Sequence, residues 1–303
     1  MSQTEDWEPV LTLDALRRWA NPATSLAVVG MPISHSLSPR MHNAALAALG
    51  LPEFASWKYF KFEIASEALA TSLPLFHQKR FHGLNLTLPH KVLACQQVTQ
   101  LSAEAEAIGA VNTLVREKTG YAGHNTDGLG FARALREEFG LSLQGADVVL
   151  FGAGGAARSV AAQALREKCR CLWIGNREPQ RLSELLMRLQ PYFPRIKTCQ
   201  KSFSLNALPS DIPKDAIVVN TTSLGLKPHD PSPVPQSFWR PEMHAYDIVY
   251  GTSETAFLRN ARTMGARAAD GTSMLYWQGA LAFELWTGHV PSIKAMRDAL
   301  ART

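Results

Sequence analysis

Residues 148–157 read Val-Val-Leu-Phe-Gly-Ala-Gly-Gly-Ala-Ala, and the reading of the second half of the chain starts there. Val148–Phe151 is a short apolar run suited to a buried parallel strand. Gly152, Gly154 and Ala157 follow in Gly-x-Gly-x-x-Gly/Ala spacing, with a helix-compatible run behind them. In a dinucleotide site the first small residue permits a tight turn. The second lets backbone N–H groups approach a pyrophosphate, and the third lets helix and strand pack closely. The helix N-terminus adds partial positive charge, so a diphosphate needs no dedicated lysine there. A Gly-rich turn between strand and helix is the plainer alternative.

A second apolar strand, Cys171-Leu172-Trp173-Ile174, arrives on cue and ends in Gly175-Asn176-Arg177. An NAD site normally carries Asp or Glu at this point for the ribose 2′-hydroxyl, whereas a 2′-phosphate needs a cation. Arg177, with Arg181 one helical turn on, can clamp a phosphate through charge-assisted bonds, which favours NADP. Glu178 between them opposes that phosphate and leaves NAD possible. A pair of solvated arginines opening a surface helix is the other reading.

Composition is that of an ordinary globular chain: 303 residues, 46% hydrophobic, 19% charged. The length suggests two domains. The net charge of +5 is spread along the chain without basic runs interleaved with aromatics, so nucleic acid is not expected as a partner. A mild positive bias suits small anionic ligands. Cys95, Cys169, Cys171 and Cys199 form no CxxC pair or zinc spacing and fit reduced thiols in a cytoplasm. The first residues lack signal-peptide character, and no apolar run approaches the roughly eighteen residues of a membrane span. The nine histidines show no ligand spacing, and no metal is expected.

Along the chain, residues 1–24 read as a polar extension with a short helix at Leu11–Trp19. Strands are expected at Ser25–Val29, Trp57–Ile64 and Gly83–Leu88, and helices at His42–Leu49 and Glu67–Leu75. Pro89 can open a further helix. This alternation is the pattern of a mainly parallel α/β sheet. The dinucleotide unit should begin near residue 128, with strands at Asp147–Phe151, Arg170–Ile174, Ala216–Asn220 and Ala245–Val249. An irregular proline-rich loop spans 227–235, and Met274–Thr287 and Ser292–Leu300 read as helices.

Three polar constellations stand out. In Gly30-Met-Pro-Ile-Ser-His-Ser-Leu-Ser-Pro39, Ser36 and Ser38 can donate to one carboxylate if the segment is extended, since alternate positions share a face. They can equally cap the next helix. In Asn85-Leu-Thr-Leu-Pro-His-Lys91, Asn85 and Thr87 would point the same way, toward a substrate. Lys91 would sit in a first helical turn, poor placement for a cation beside the dipole's positive end and hence a hint of use in proton exchange, although a surface lysine explains it too. In the third, Ala110-Val-Asn-Thr-Leu-Val115 and Gly123-His-Asn-Thr-Asp-Gly128, Asn112 and Asn125 could hydrogen-bond hydroxyls. Asp127 is the carboxylate expected to pair with Lys91, and Asn-Thr-Asp-Gly alone is simply a turn.

Taken in order, Pro32–Pro39, Asn85–Lys91, Gly109–Thr113, Asn125–Gly128, Gly152–Ala156, Asn176-Arg177, Asn220–Ser223, Tyr246–Tyr250 and Asp270-Gly271 resemble the motifs of shikimate dehydrogenases, from about Ala27 to Val290. The resemblance implies two α/β domains with the active site in the cleft between them. The substrate domain would be 1–127, rejoined by 272–303, and a Rossmann-type NADP-binding domain would be 128–271. It implies reversible NADP-dependent reduction of 3-dehydroshikimate to shikimate by a cytoplasmic monomer or homodimer.

By motif position, Ser36 and Ser38 would bind the substrate carboxylate. Thr87, Asn112, Asp127 and Gln278 would hold ring hydroxyls, with Tyr250 nearby. Lys91 would be the proton donor and Asp127 its partner. Gly152, Ala153, Gly154, Gly155, Ala156, Asn176, Arg177, Arg181, Thr221, Ile248 and Gly271 would hold the cofactor. His35 and His90 are expected in structural or rim roles. The chain departs from the family at Glu178, where Ser or Thr is common, and in its N-terminal extension. A quinate/shikimate dehydrogenase preferring NAD is the nearest rival. A catalytically inactive ligand-binding relative would show a broken Lys/Asp pair or glycine loop, and neither is broken here.

Overall fold

The computed structural model describes residues 9–21, 23–191, 200–204, 208–227, 229–251 and 253–301. Cys199, Pro228 and, in the N-terminal extension, residues 1–8 and 22 lie outside the described residues. The chain divides into two compact units, one within 1–106, 110–126 and 279–303, the other within 107–109 and 127–278. The expectation had the junctions after 127 and 271. The second division instead falls inside the helix Thr272–Thr287.

The first unit is built on strands β1 (Val10–Leu11), β2 (Ser25–Gly30), β3 (Lys58–Glu63), β4 (Phe81–Leu86), β5 (Gln100–Leu101), β6 (Thr113–Glu117) and β7 (Gly120–His124). Their order is β1-β3-β2-β4-β6-β7-β5. The β1-β3-β2-β4 block is parallel, as the strand–helix alternation implies, and β4–β6 and β6–β7 are antiparallel. All six residues of β2 are buried, which explains why Ser-Leu-Ala-Val-Val-Gly shows no alternation: a parallel strand is covered on both faces. Beneath the sheet, Trp19, Phe62, Phe76 and Phe81 meet largely edge to face, with centroids 4.9–5.6 Å apart.

Two expectations about helices need correction. The helix after β2 runs Ser38–Leu49, one turn upstream of the expected His42, because Pro39 fits a first turn. Lys91 lies in a single short helical turn, His90–Leu93, which sums little macrodipole. What marks Lys91 is therefore its place in the fold rather than a helix field. The end of the chain rejoins the first unit through close backbone approach. A Cβ on Gly279 would collide with Met41, and one on Gly83 with Trp286, whose indole donates to the Leu114 carbonyl at 2.9 Å.

The second unit carries β8 (Asp147–Phe151), β9 (Cys171–Asn176), β10 (Gln200–Ser204), β11 (Ile217–Asn220), β12 (His244–Asp247) and β13 (Arg267–Ala269). They form a fully parallel sheet in the order β10-β9-β8-β11-β12-β13. Counted from β8 this is 3-2-1-4-5-6, the doubly wound dinucleotide-binding order, whose ligands sit beyond the carboxyl ends of the strands where the order reverses. Among the described residues no helix is long and apolar enough to cross a membrane.

Candidate active site

Within the first unit, the carboxyl ends of β2 and β4 bring the substrate-side candidates to one sheet edge. The two strands are neighbours, and the Met31 N–H donates to the Leu88 carbonyl at 2.9 Å. Gly30 is needed there because a Cβ would drive into the Thr87 methyl. The segment bearing Ser36 and Ser38 thus lies against the one bearing Thr87 and Lys91. Lys91 is half-buried, and its carbonyl accepts from the Val111 N–H at 2.8 Å. That bond ties it to Asn112, whose own carbonyl accepts from Leu86 N–H at 2.8 Å.

The serines are not an extended pair. Leu37 is helical (φ −89°, ψ −1°) and Ser38 begins the helix, so alternation along a strand does not apply. Both side chains are buried instead, and Ser36 Oγ accepts from the Ser38 N–H at 3.4 Å, so the capping alternative holds part of the truth. Two charged residues of β3, invisible to motif reading, pin this loop. Lys61 is buried and donates to the Ser34 carbonyl at 2.9 Å, while Glu63 Oε2 accepts from Ile33 N–H at 3.2 Å. The available signal was a lysine and a glutamate at alternate positions of a strand with three aromatic residues. The His35 side chain reaches the surface, and partial desolvation by its neighbours together with the Lys61 charge lowers its pKa. His90 is fully buried against the Ile64 carbonyl, 2.9 Å away.

Asn85 is buried within the sheet. Its amide is consumed by the Tyr59 hydroxyl at 2.7 Å, the Asn112 carbonyl at 3.1 Å and Thr113 Oγ1 at 3.1 Å, which makes it a pillar of the sheet. Asn112 is also buried, and its amide grips Thr126: Oδ1 accepts from Thr126 N–H at 2.8 Å and Nδ2 donates to Thr126 Oγ1 at 2.9 Å. It thereby fixes the residue immediately before Asp127. Asn125 donates to the Ala110 carbonyl at 2.9 Å.

In the second unit Asp127 is buried and opens the helix Asp127–Phe139. One turn later Gly130 lets that helix approach Gln278, whose backbone N would lie 2.8 Å from a Cβ. Gln278 donates to the Leu275 carbonyl at 2.8 Å. Tyr250 is half-buried three residues beyond β12.

The cofactor-side residues gather at the carboxyl edge of the parallel sheet. Gly152 has φ +118°, and a Cβ on it would meet Thr221 Oγ1 at 2.7 Å, so only glycine fits. Ala153 is buried behind it, whereas Gly154 is exposed. Gly154 caps the helix Gly155–Arg166 without a side-chain cap, and a Cβ there would point into open space. Gly155 and Ala156 form its first turn, and Ala157 is fully buried against the sheet. A glycine bend, an uncapped helix N-terminus and an open approach fit a diphosphate.

Thr221 donates to the Phe151 carbonyl at 2.7 Å, and a Cβ on Gly271 would strike the Ile248 carbonyl. At the end of β9, Asn176 Nδ2 donates to the Glu178 carbonyl at 2.9 Å. Glu178 pairs at the surface with Arg181, 2.9 Å apart, and Arg177 is exposed. Among the described residues no three His, Cys, Asp or Glu side chains gather as a metal-ligand set.

Comparison with known proteins agrees with this layout. Residues 28–114 match the shikimate dehydrogenase substrate binding domain, and residues 271–301 the shikimate 5'-dehydrogenase C-terminal domain. The chain is similar to a shikimate dehydrogenase (NADP(+)) of Thermus thermophilus, 41% identical over 277 residues covering 91% of this chain and 97% of the relative. A crystal structure of shikimate 5-dehydrogenase from that organism, in complex with NADP(H) and shikimate, superposes with TM-score 0.76 at 39% identity, covering 92% of this chain and 98% of that one. Quinate dehydrogenase from Corynebacterium glutamicum, in complex with NAD, superposes with TM-score 0.80 at 29% identity, covering 93% and 99%.

Proposed function

This chain belongs to the shikimate dehydrogenase family, and from that membership we propose that it catalyses the reversible NADP-dependent reduction of 3-dehydroshikimate to shikimate. The observation that carries the reading is the gathering of Ser36, Ser38, Thr87, Lys91 and Asn112 at one edge of one sheet. That edge belongs to a chain whose family motifs run in unbroken order.

Reducing a ketone builds negative charge on its oxygen, so a proton must be delivered there. Lys91 is the group assigned to that proton, with Asp127 as its acidic counterpart. Ser36 and Ser38 take the substrate carboxylate, an interaction of two neutral donors with an anion. Thr87, Asn112, Asp127 and Gln278 orient the ring hydroxyls, with Tyr250 beside them. When bound, the nicotinamide supplies or accepts the hydride. Gly152, Ala153, Gly154, Gly155 and Ala156 hold its diphosphate, and Thr221, Ile248 and Gly271 flank its nicotinamide half. Asn176, Arg177 and Arg181 serve the adenosine end. This chemistry is placed in the cytoplasm, where Cys95, Cys169 and Cys171, none in a disulfide, stay reduced, and in a monomer or homodimer.

Replacing Lys91 by Ala is expected to lower kcat by ~10²–10⁴, the usual share of a positioned acid, while calorimetric affinity for NADP+ stays the same. Near-normal turnover in that variant would remove Lys91 from the role. A second reading, a quinate/shikimate dehydrogenase preferring NAD, draws on the Arg181–Glu178 ion pair, which occupies one of the two cations available to a 2′-phosphate.

A further inference from the structure

Two of the family-type motifs carry a buried polar residue with no role so far: Asn220, the last residue of β11, and Asp247, the last residue of β12. The two are register partners across the parallel pair and both are fully buried. Asp247 Oδ1 accepts from Asn220 Nδ2 at 2.9 Å and from the Val249 N–H at 3.1 Å, and its Oδ2 accepts from Thr255 Oγ1 at 2.7 Å. Asn220 extends the network into the loop after β11. Its Oδ1 accepts from Thr222 N–H at 3.1 Å and Thr222 Oγ1 at 2.7 Å, and its Nδ2 donates to the Leu224 carbonyl at 3.0 Å.

The same loop closes on Thr255 from the other side. Gly225 has φ +110°, and a Cβ there would lie 2.8 Å from the Thr255 methyl. One carboxylate therefore joins the loops that follow two neighbouring strands. Those loops carry Thr221, which touches Gly152 of the glycine loop, and Ile248, whose carbonyl lies against Gly271. The Gly271 N–H donates to the carbonyl of Val249, the residue whose own N–H binds Asp247.

We propose that Asp247 is a positioning residue for the dinucleotide, locking the loops after β11 and β12 into one platform that sets Thr221, Ile248 and Gly271 beside the glycine loop. This rests on the cofactor reading above. Burial pushes the Asp247 carboxyl up to about 6, opposed by its three hydrogen bonds and aided by the charge of Asp270. A carboxylate kept in so unfavourable a place is kept for its three acceptor contacts.

The test uses the full chain and calorimetric binding of NADP+ and of NAD+ without substrate, with circular dichroism and melting curves confirming the fold. Asp247→Ala should weaken the preferred dinucleotide on the order of tenfold or more, because small misplacements of a site are costly, and leave KM for shikimate unchanged at saturating cofactor. Asp247→Asn should recover most of the affinity, since its carbonyl still accepts from Asn220 and Val249 and the Thr255 hydroxyl can turn to accept. Thr255→Val should lose less than Asp247→Ala.

A residue that only stabilised the fold would lower kcat with the active fraction and leave Kd alone. Wild-type Kd in a folded Asp247→Ala overturns the proposal, as does equal weakening of dinucleotide and shikimate. Should Asp247→Ala fail to fold, wild-type Kd in both Asp247→Asn and Thr255→Val overturns it, and a loss in Thr255→Val supports it. A parent chain that binds dinucleotide yet leaves shikimate unoxidised would defeat the functional reading alone. One that binds neither dinucleotide would defeat both.

Discussion

Glu178 decides how far the cofactor argument reaches. Its carboxylate is turned onto Arg181 at 2.9 Å, with both side chains more than half exposed. An exposed pair of this kind contributes little stability, so a 2′-phosphate could displace Glu178 at small cost. Arg177, on the exposed turn just past β9, is the cation that Glu178 leaves to a phosphate. Arg177→Ala is accordingly expected to weaken NADP+ far more than NAD+ in paired titrations, and equal losses would end the 2′-phosphate argument. Motif spacing singled out Asn176, Arg177 and Arg181, and it flagged Glu178 as the complication. It could not say which arginine the glutamate would meet, because that depends on rotamers around a helix start. Asn85 was legible as important but not as structural: two-residue alternation gives a face, and only the packed sheet shows that Tyr59 and Thr113 already occupy it.

The strand–turn–helix around Gly152 and Gly154 separates folding from binding within one loop. Gly152→Ala would place a Cβ at 2.7 Å from Thr221 Oγ1 in a left-handed backbone, a strain of about 1–3 kcal/mol that should appear as a lower Tm. Gly154→Val meets open space, so its Tm should move little while NADP+ affinity falls; wild-type affinity in Gly154→Val would mean that the diphosphate does not lie over this turn. The parallel strands were readable because burial on both faces writes them as continuous apolar runs. The hairpin β6–β7 was not. Its strands, Thr113–Glu117 and Gly120–His124, are half polar, and their sequence serves at once as ladder and as motif. The short strands β5 and β13, of two and three residues, carry too few positions for any period to show.

Across the molecule, buried histidines set the acid response. His42 is completely buried, stacked on Tyr59 at 4.3 Å, and burial holds its pKa down at about 3, with the nearby Asn85 opposing. His82, His90 and His124 are lowered as well, each chiefly by burial. Below pH 6.5 the unfolded chain binds protons that these rings resist when folded, so stability falls as pH drops below about 6.5, and for His42 the loss continues toward 3. Asp247 works in the opposite sense: its raised pKa favours the folded state as pH falls from about 6 to 4. His42→Leu should therefore flatten the acid limb of denaturant-derived stability by up to about 1.4 kcal/mol per pH unit, and parallel curves for parent and variant would refute a neutral buried imidazole.

Strand–helix alternation and glycine spacing led to the expectation of two domains, and the chain divides into two compact units. The junction inside Thr272–Thr287 was not legible, because one unbroken helix gives no signal where its packing partner changes. What the whole molecule does is tested most directly by initial rates measured for shikimate and quinate, each with NADP+ and NAD+. Shikimate with NADP+ should give the highest kcat/KM of the four combinations. A maximum at quinate with NAD+, or no turnover in any of the four, would contradict the account.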